Sequence, residues 1–283
     1  MKTPVQPGHF IRKVKGPVVL TESQVEQFHS KGYVKCPSFF TPREVSAMRE
    51  ELNRLRQEGL LRNVATDGDG TTHSKQMQNL QICPISPKSE FYRAFQFHPK
   101  VIDAIGRLIG VPFVFYLDQI FLKPGGHGIG TDWHQDNAYF KIKDPTKGVA
   151  LWTAIHEANL ANGTLHVIPG SHKHEFDHSR DANSDHHIHC KVPEEEAIPL
   201  ELPAGGVGFF NFGIAHCTRK NTTATERAGL AVHFLHTDYI PQDRVGTKAL
   251  THLTGPLASG GVNEYGKQVA GTWQMEVDRV LGV

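Results

Sequence analysis

From residue 111 onward the chain is a succession of short apolar runs with no helical spacing between them. FVFYLDQIFLKP, GVALWTAIHEA, GTLHVIPGS, GVGFFNFGIAHCT and RAGLAVHFLHTDY are rich in aromatic and β-branched residues and are bounded by Gly, Pro and Asn. Such runs read as strands. Parallel strands need crossover connections, usually helical, and no helical pattern lies between these runs, so βαβ units are disfavoured. The expected core is an antiparallel sandwich or barrel of the jelly-roll type. With 283 residues, 39% of them hydrophobic, the chain can bury such a core and still enclose a substantial cavity.

The first part of the chain has a different period. Thr21 reads as an N-cap with Gln24 three residues on, followed by Val25 and Phe28 and closed by Gly32. Tyr33 to Pro37 reads as a short strand, and Thr41-Pro42 opens a second helix carrying Val45, Met48, Leu52 and Leu55, with Gly59 as its stop. Residues 62–76 are polar and loop-like, and HPKVIDAIGRLIG predicts a further helix ending at Gly110. Helices first and strands after define an α+β, mainly β chain. One domain over 1–283 is expected, with a mostly helical flank at 1–110, a core at 111–240 and an extension at 241–283. No internal repeat is visible.

Net charge is +1 with histidine neutral, which gives no electrostatic argument for nucleic acid or an anionic membrane surface. The expected partner is a small molecule, acted on by a monomer or homodimer. Cys36, Cys83, Cys190 and Cys217 are scattered, as in a reducing compartment, and neither a disulfide framework nor a structural zinc site is expected. The first twenty residues lack an apolar run of signal-peptide length and no later run approaches a membrane span, so the expected location is cytoplasmic. The sequence holds 18 histidines, and six fall at 172, 174, 178, 186, 187 and 189 in a polar stretch without strand or helix period.

Within WHQDNAYF, His134 and Asp136 are two apart. On a strand they would project side by side while Gln135 points away, which is half of a metal site. His216 ends a later strand run, and Arg227 starts the next one beyond a turn of Asn221, Thr222 and Thr223. A hairpin centred on that turn would set His216 opposite Arg227 and Thr218 opposite Thr225, all on one face. Two histidines and one carboxylate leave three open positions on an octahedral ion, the arrangement of non-haem Fe(II) oxygenases. A nearby arginine suits a carboxylate-bearing cosubstrate, and zinc hydrolases have no need of it.

These motifs resemble the phytanoyl-CoA dioxygenase family of Fe(II)/2-oxoglutarate oxygenases. The resemblance runs through LTESQVEQFHSKGYVKCPSFFTPREV, FLKPGGHGIGTDWHQDNAYF and LWTAIHEANLANGTLHVIPGSH to His216 and Arg227, and so covers most of the chain. It implies a double-stranded β-helix, cupin-like, flanked by N-terminal helices. It implies that His134, Asp136 and His216 ligate Fe(II), that Arg227 clamps the distal carboxylate of 2-oxoglutarate, and that Thr218 assists Arg227. It implies O2 as second cosubstrate and hydroxylation with release of succinate and CO2. Asp136 separates the chain from halogenating relatives, which lack that carboxylate.

Other positions carry less. Thr164 either lines the 2-oxoglutarate pocket or is a sheet former, and Gln119 and Lys123 share a face that reaches cosubstrate or substrate unless Lys123 is solvated at its strand end. Phe140 and Trp152 either wall the pocket or belong to the core. Cys217 should point away from the site, and His156, His166, His233 and His236 read as packing or supporting residues. The histidine-rich segment 171–190 is either a solvated loop or a lid whose histidines and Arg180 close on an anionic head group. The favoured substrate is then a small anionic or zwitterionic molecule, like an aminophosphonate or amino acid. A secondary metabolite or acyl thioester, desaturation or ring closure, and a catalytically silent metal-binding module stand as alternatives.

Overall fold

The computed structural model describes residues 19–242, 250–265 and 272–283. The residues before 19, on which most of the leader reading rests, lie outside them. The flank contains α1 (Glu22–Lys31), β1 (Tyr33–Cys36), α2 (Pro42–Gln57), β2 (Arg62–Asn63), β3 (Leu80–Ile82), α3 (Glu90–Phe95) and α4 (Pro99–Ile109). Thr21 and Thr41 each cap their helix through a reciprocal box with Gln24 and Glu44, and Gly32 closes α1 at φ 83, a conformation that favours glycine. Residues 62–76 are more ordered than their polarity suggests, because β2 pairs with β3 and Ala65 bridges Ser184.

The strand region contains β4 (Phe113–Lys123), β5 (Thr131–Gln135), α5 (Asn137–Phe140), β6 (Gly148–Ala154), β7 (Leu165–Val167), β8 (His178–Arg180), β9 (Ile188–Cys190), β10 (Ile198–Pro199), β11 (Val207–Asn211), β12 (Ala215–Thr218) and β13 (Arg227–His236). Beyond it come β14 (Thr251–His252), α6 (Val262–Tyr265) and α7 (Thr272–Leu281). An eight-stranded antiparallel sheet runs β1-β11-β6-β13-β4-β3-β2 with β14 on β4, and a four-stranded one runs β10-β7-β12-β5. This is the jelly-roll core that the patterning predicts. Ala228, Leu230, Val232 and Phe234 of β13 face the helical layer, in one cluster with Phe28, Met48, Ile105 and Trp273. On the opposite face, Trp152, Phe210 and Ala231 meet Leu165 and Val167 of the smaller sheet. The site opens on that inner face.

Two expectations fail here. β12 and β13 are not a hairpin: β12 pairs with β5 and β7, whereas β13 pairs with β4 and β6. The connection crosses between sheets and is pinned to the end of β4 by Asn221, whose buried amide donates to the carbonyls of Lys123 at 3.1 Å and Thr225 at 2.8 Å. The histidine-rich segment is not a patternless loop either, since β8 and β9 form a two-stranded unit. It is tied to its surroundings by Arg62 on Asp185, by Thr66 Oγ1 donating to Ala182 O at 2.6 Å, and by Ile188 N donating to Tyr139 Oη at 2.9 Å. None of the four cysteines is in a disulfide. No described helix is long and apolar enough to cross a membrane.

Candidate active site

β5 ends at Gln135, and Asp136 already has helical backbone angles, φ −57 and ψ −32. His134 and Asp136 are therefore not two residues of one strand, as the spacing suggests; the turn into α5 brings the carboxylate back beside the imidazole. Gln135 does point the other way, its Nε2 donating to His174 O at 2.7 Å and Gly213 O at 2.6 Å and its Oε1 accepting from Phe176 N at 3.1 Å. β12 runs antiparallel to β5 with His216 opposite His134, so the two rings lie 4.2 Å apart. Asp136 Oδ1 sits 3.8 Å from His134 Nε2 and 3.7 Å from His216 Nε2. One ligand atom from each of the three residues lies within 4.8 Å of the others.

The tautomers are set by backbone. His134 Nδ1 donates to Asp132 O at 2.8 Å and His216 Nδ1 to Ile214 O at 3.1 Å, which leaves both Nε2 lone pairs aimed at the shared centre. Burial, and then His216 beside it, push the His134 pKa down to about 3, and burial lowers that of His216. Burial opposes ionisation of Asp136, but His216 and His233 nearby hold its carboxyl well below the usual range. Two neutral imidazoles and an anionic carboxylate are the protonation states a divalent cation requires. His233 adds a third imidazole, with Nε2 3.3 Å from Asp136 Oδ2. Sequence reasoning left it as a packing or supporting residue. Its signal was the even count from Arg227 along one strand, which puts both on the inner face.

Arg227 is fully buried, and burial alone lowers its pKa to about 10. It reaches the cavity from the other sheet, with its Cζ 5.6 Å over the Trp152 ring. Gly229 makes this possible, because a Cβ there would lie 2.6 Å from the Trp152 ring. Nη2 donates to Gly163 O, while Nε and Nη1 have no partner among the described residues. A buried guanidinium with two unused donors is costly unless a ligand takes them, and a carboxylate fits that fork. The residues present therefore suit both a divalent metal and a dicarboxylate.

The remaining candidates divide. Gln119, Phe140, Trp152 and Thr218 line a cavity of about 210 Å³ together with the triad, His233 and Arg227. Thr218 does not bond Arg227; its Oγ1 accepts from Thr131 N at 3.0 Å. Thr164 does not line the cavity, and its buried hydroxyl donates to Leu200 O at 2.7 Å. Lys123 is neither solvated nor in the cavity wall: it lies beside Arg227 across the β4–β13 ladder, 1% exposed, with Nζ donating to Arg219 O at 2.5 Å. Burial and then Arg227 depress its pKa well below the usual lysine value. Arg180 is exposed and donates to the carbonyls of Asp185 at 2.7 Å and His187 at 3.3 Å, which closes the β8–β9 turn. Of the segment's histidines, His186 and His187 line the cavity. Cys217 packs with Trp133, Ile168 and Cys190 but also borders the cavity, so it is not wholly turned away from the site.

Residues 28–229 match the phytanoyl-CoA dioxygenase (PhyH) family. The chain belongs to this family. Phytanoyl-CoA dioxygenase 1 of Oryza sativa subsp. japonica is 26% identical over 77% of this chain and 90% of its own length. The ectoine dioxygenase of Stutzerimonas stutzeri (strain A1501) is 25% identical over 76% of each chain. Among solved structures, the epimerase SnoN in complex with Fe3+, alpha-ketoglutarate and nogalamycin RO, from nogalamycin biosynthesis, superposes with a TM-score of 0.66 at 20% identity, covering 83% of this chain and 96% of that one. This PhyH-family chain is a 2-oxoglutarate-dependent non-haem iron dioxygenase, and its cofactor and cosubstrates are Fe(II), 2-oxoglutarate and O2.

Proposed function

We propose that His134, Asp136 and His216 hold the iron, that Arg227 takes the far carboxylate of 2-oxoglutarate, and that the enzyme hydroxylates a C–H bond of a small molecule with release of succinate and CO2. The observation that carries this reading is the pair of unused buried donors on Arg227, in the same cavity as the triad. A silent metal-binding module would gain nothing from that arrangement. Iron with 2-oxoglutarate and O2 bound supplies the oxidising power. The protein's part is placement: the backbone bonds on both Nδ1 atoms aim the histidines, Trp152 props Arg227, and Phe140, Trp152 and Phe210 keep water from the reacting atoms.

The same walls bear on the substrate. Arg227 is the only lysine or arginine among the described residues lining the cavity, and 2-oxoglutarate uses it. Arg180 is occupied elsewhere, and burial pushes the His187 pKa well below its ordinary value, so that its ring is uncharged. Leu117, Tyr139 and Phe140 form much of the remaining wall. This favours a substrate that buries an uncharged, partly apolar body over one anchored by an anionic head group. A substrate panel of matched neutral and anionic compounds, followed by succinate release together with product mass, tests both points. We expect the 16 Da gain of one oxygen atom on a neutral compound. Turnover confined to anions would reject the substrate class, and succinate release from no compound would reject the hydroxylase reading.

A further inference from the structure

β13 sends Arg227, Ala231 and His233 into the cavity by simple alternation, and the register shifts just after His233. The His233 ring is 2% exposed, with Phe140 at 5.3 Å and Phe212 at 5.9 Å. Its Nε2 faces Asp136 Oδ2 at 3.3 Å, whereas Oδ1 of the same carboxylate faces the two histidines of the triad. Among the described residues, neither Oδ2 nor His233 Nδ1 has a hydrogen-bond partner of good geometry. The carboxylate's two oxygens thus meet different surroundings, and His233 is the group beside the second. We propose that His233 is a positioning residue: by holding Oδ2 it makes Asp136 a one-oxygen ligand and keeps a coordination position open for the cosubstrates. Without it, the buried carboxylate is free to turn about its last torsion and offer both oxygens to the metal. The inference rests on the triad reading above. A spacer between Phe140 and Phe212 needs bulk alone, whereas this role needs an N–H donor.

The test compares His233→Leu, which keeps bulk, with His233→Gln, which keeps an N–H donor, and His233→Asn, whose amide is too short to reach. Co(II) is titrated anaerobically into each apo protein, with and without 2-oxoglutarate, and the visible spectrum is followed alongside circular dichroism. Loss of such a supporting partner typically weakens metal binding about 10–100-fold. We expect Leu and Asn to show that loss and a blunted spectral response to 2-oxoglutarate, with Gln largely restoring both. If Leu does not fold, the Gln–Asn difference decides alone. Co(II) affinity within about twofold of wild type and an unchanged response in Leu, or in Asn where Leu is unfolded, would overturn the proposal. Failure of the wild-type protein to bind Co(II) would instead remove the triad reading.

Discussion

Asp136 and Arg227 are both buried charges, and a bound ligand would offset the cost of burying each. Replacing Asp136 by Ala removes a proposed ligand and the one negative charge among the triad's contacts. Turnover is expected to be lost while circular dichroism and thermal midpoint stay near wild type; activity restored to near wild type by added iron would contradict the assignment. Arg227→Ala removes a charge-assisted, two-point contact worth ~1.5–3 kcal/mol, and the 2-oxoglutarate requirement should rise about tenfold to a hundredfold. Lys in its place should rescue only in part, because an ammonium cannot form the fork. Lys123→Met should leave that requirement nearly unchanged, since the ammonium is spent on Arg219 O. A steep rise in the Lys123→Met variant would make Lys123 the carboxylate's holder. That His134, Asp136, His216 and Arg227 belong together was legible in the sequence, because ligand chemistry restricts residue type, and all four line one cavity. His233 was legible only as a packing or supporting residue: its count from Arg227 puts it on the inner face, but nothing in it shows that α5 turns Asp136 toward it.

At the scale of elements, His186 and His187 of the β8–β9 unit line the cavity, and the unit's attachment is expected to respond to pH. His187 contacts the Gln81 amide at 2.9 Å, and His178 Nε2 accepts from Gln135 N at 3.0 Å. Burial, and for His187 also His186 beside it, lower both pKa values in the fold. A histidine whose folded pKa is depressed contributes stability that is present above its unfolded value, about 6.5, and is lost as pH falls below it. Amide protection across residues 178–190, taken relative to the intrinsic exchange rate at each pH, should therefore fall between about pH 7 and about pH 5.5, more than in the major sheet. The change should be smaller in His187→Asn. Unchanged protection across that window would show that these histidines do not hold the unit down. Strands and helices of the core were readable from period and caps, but strand partnership was not. β12 and β13 both alternate and a turn joins them, and only the anchoring of Asn221 on β4 reveals that the chain has changed sheets. The β8–β9 strands are three residues each, too short for alternation to register.

At the scale of the whole molecule, α7 returns the C-terminal part to the helical flank, outside the family match at 28–229. Trp273 packs on Phe40, Phe91 and Phe95 and donates to Glu44 Oε1 at 2.7 Å. Glu44 also caps α2 and meets His98 at 2.9 Å, so one carboxylate joins three helices. Burial opposes its ionisation, but His98, Thr41 and Trp273 together lower its pKa to about 2. A carboxylate depressed in this way contributes stability that is present above its unfolded value and is lost as pH falls toward the folded one. For Glu44 that is the interval from about 4.5 to about 2, with a contribution of order ~3 kcal/mol. Trp273→Ala should cost about 3–5 kcal/mol in denaturant unfolding without moving Co(II) or 2-oxoglutarate affinity. Parallel losses of stability and affinity would mean that the flank shapes the site. The period of Trp273, Val277, Val280 and Leu281 was present in the sequence, but a lone amphipathic stretch does not say which layer it joins.

The central claim is that one cavity binds iron through His134, Asp136 and His216 and 2-oxoglutarate through Arg227. Anaerobic titration of 2-oxoglutarate into the Fe(II)-loaded protein, followed by the visible charge-transfer band of the chelate, reads both at once. Wild type should saturate at one 2-oxoglutarate per chain. Asp136→Ala should give no band, and Arg227→Ala should give it only at about tenfold or more higher 2-oxoglutarate. The same band at the same concentration in all three proteins would contradict the account.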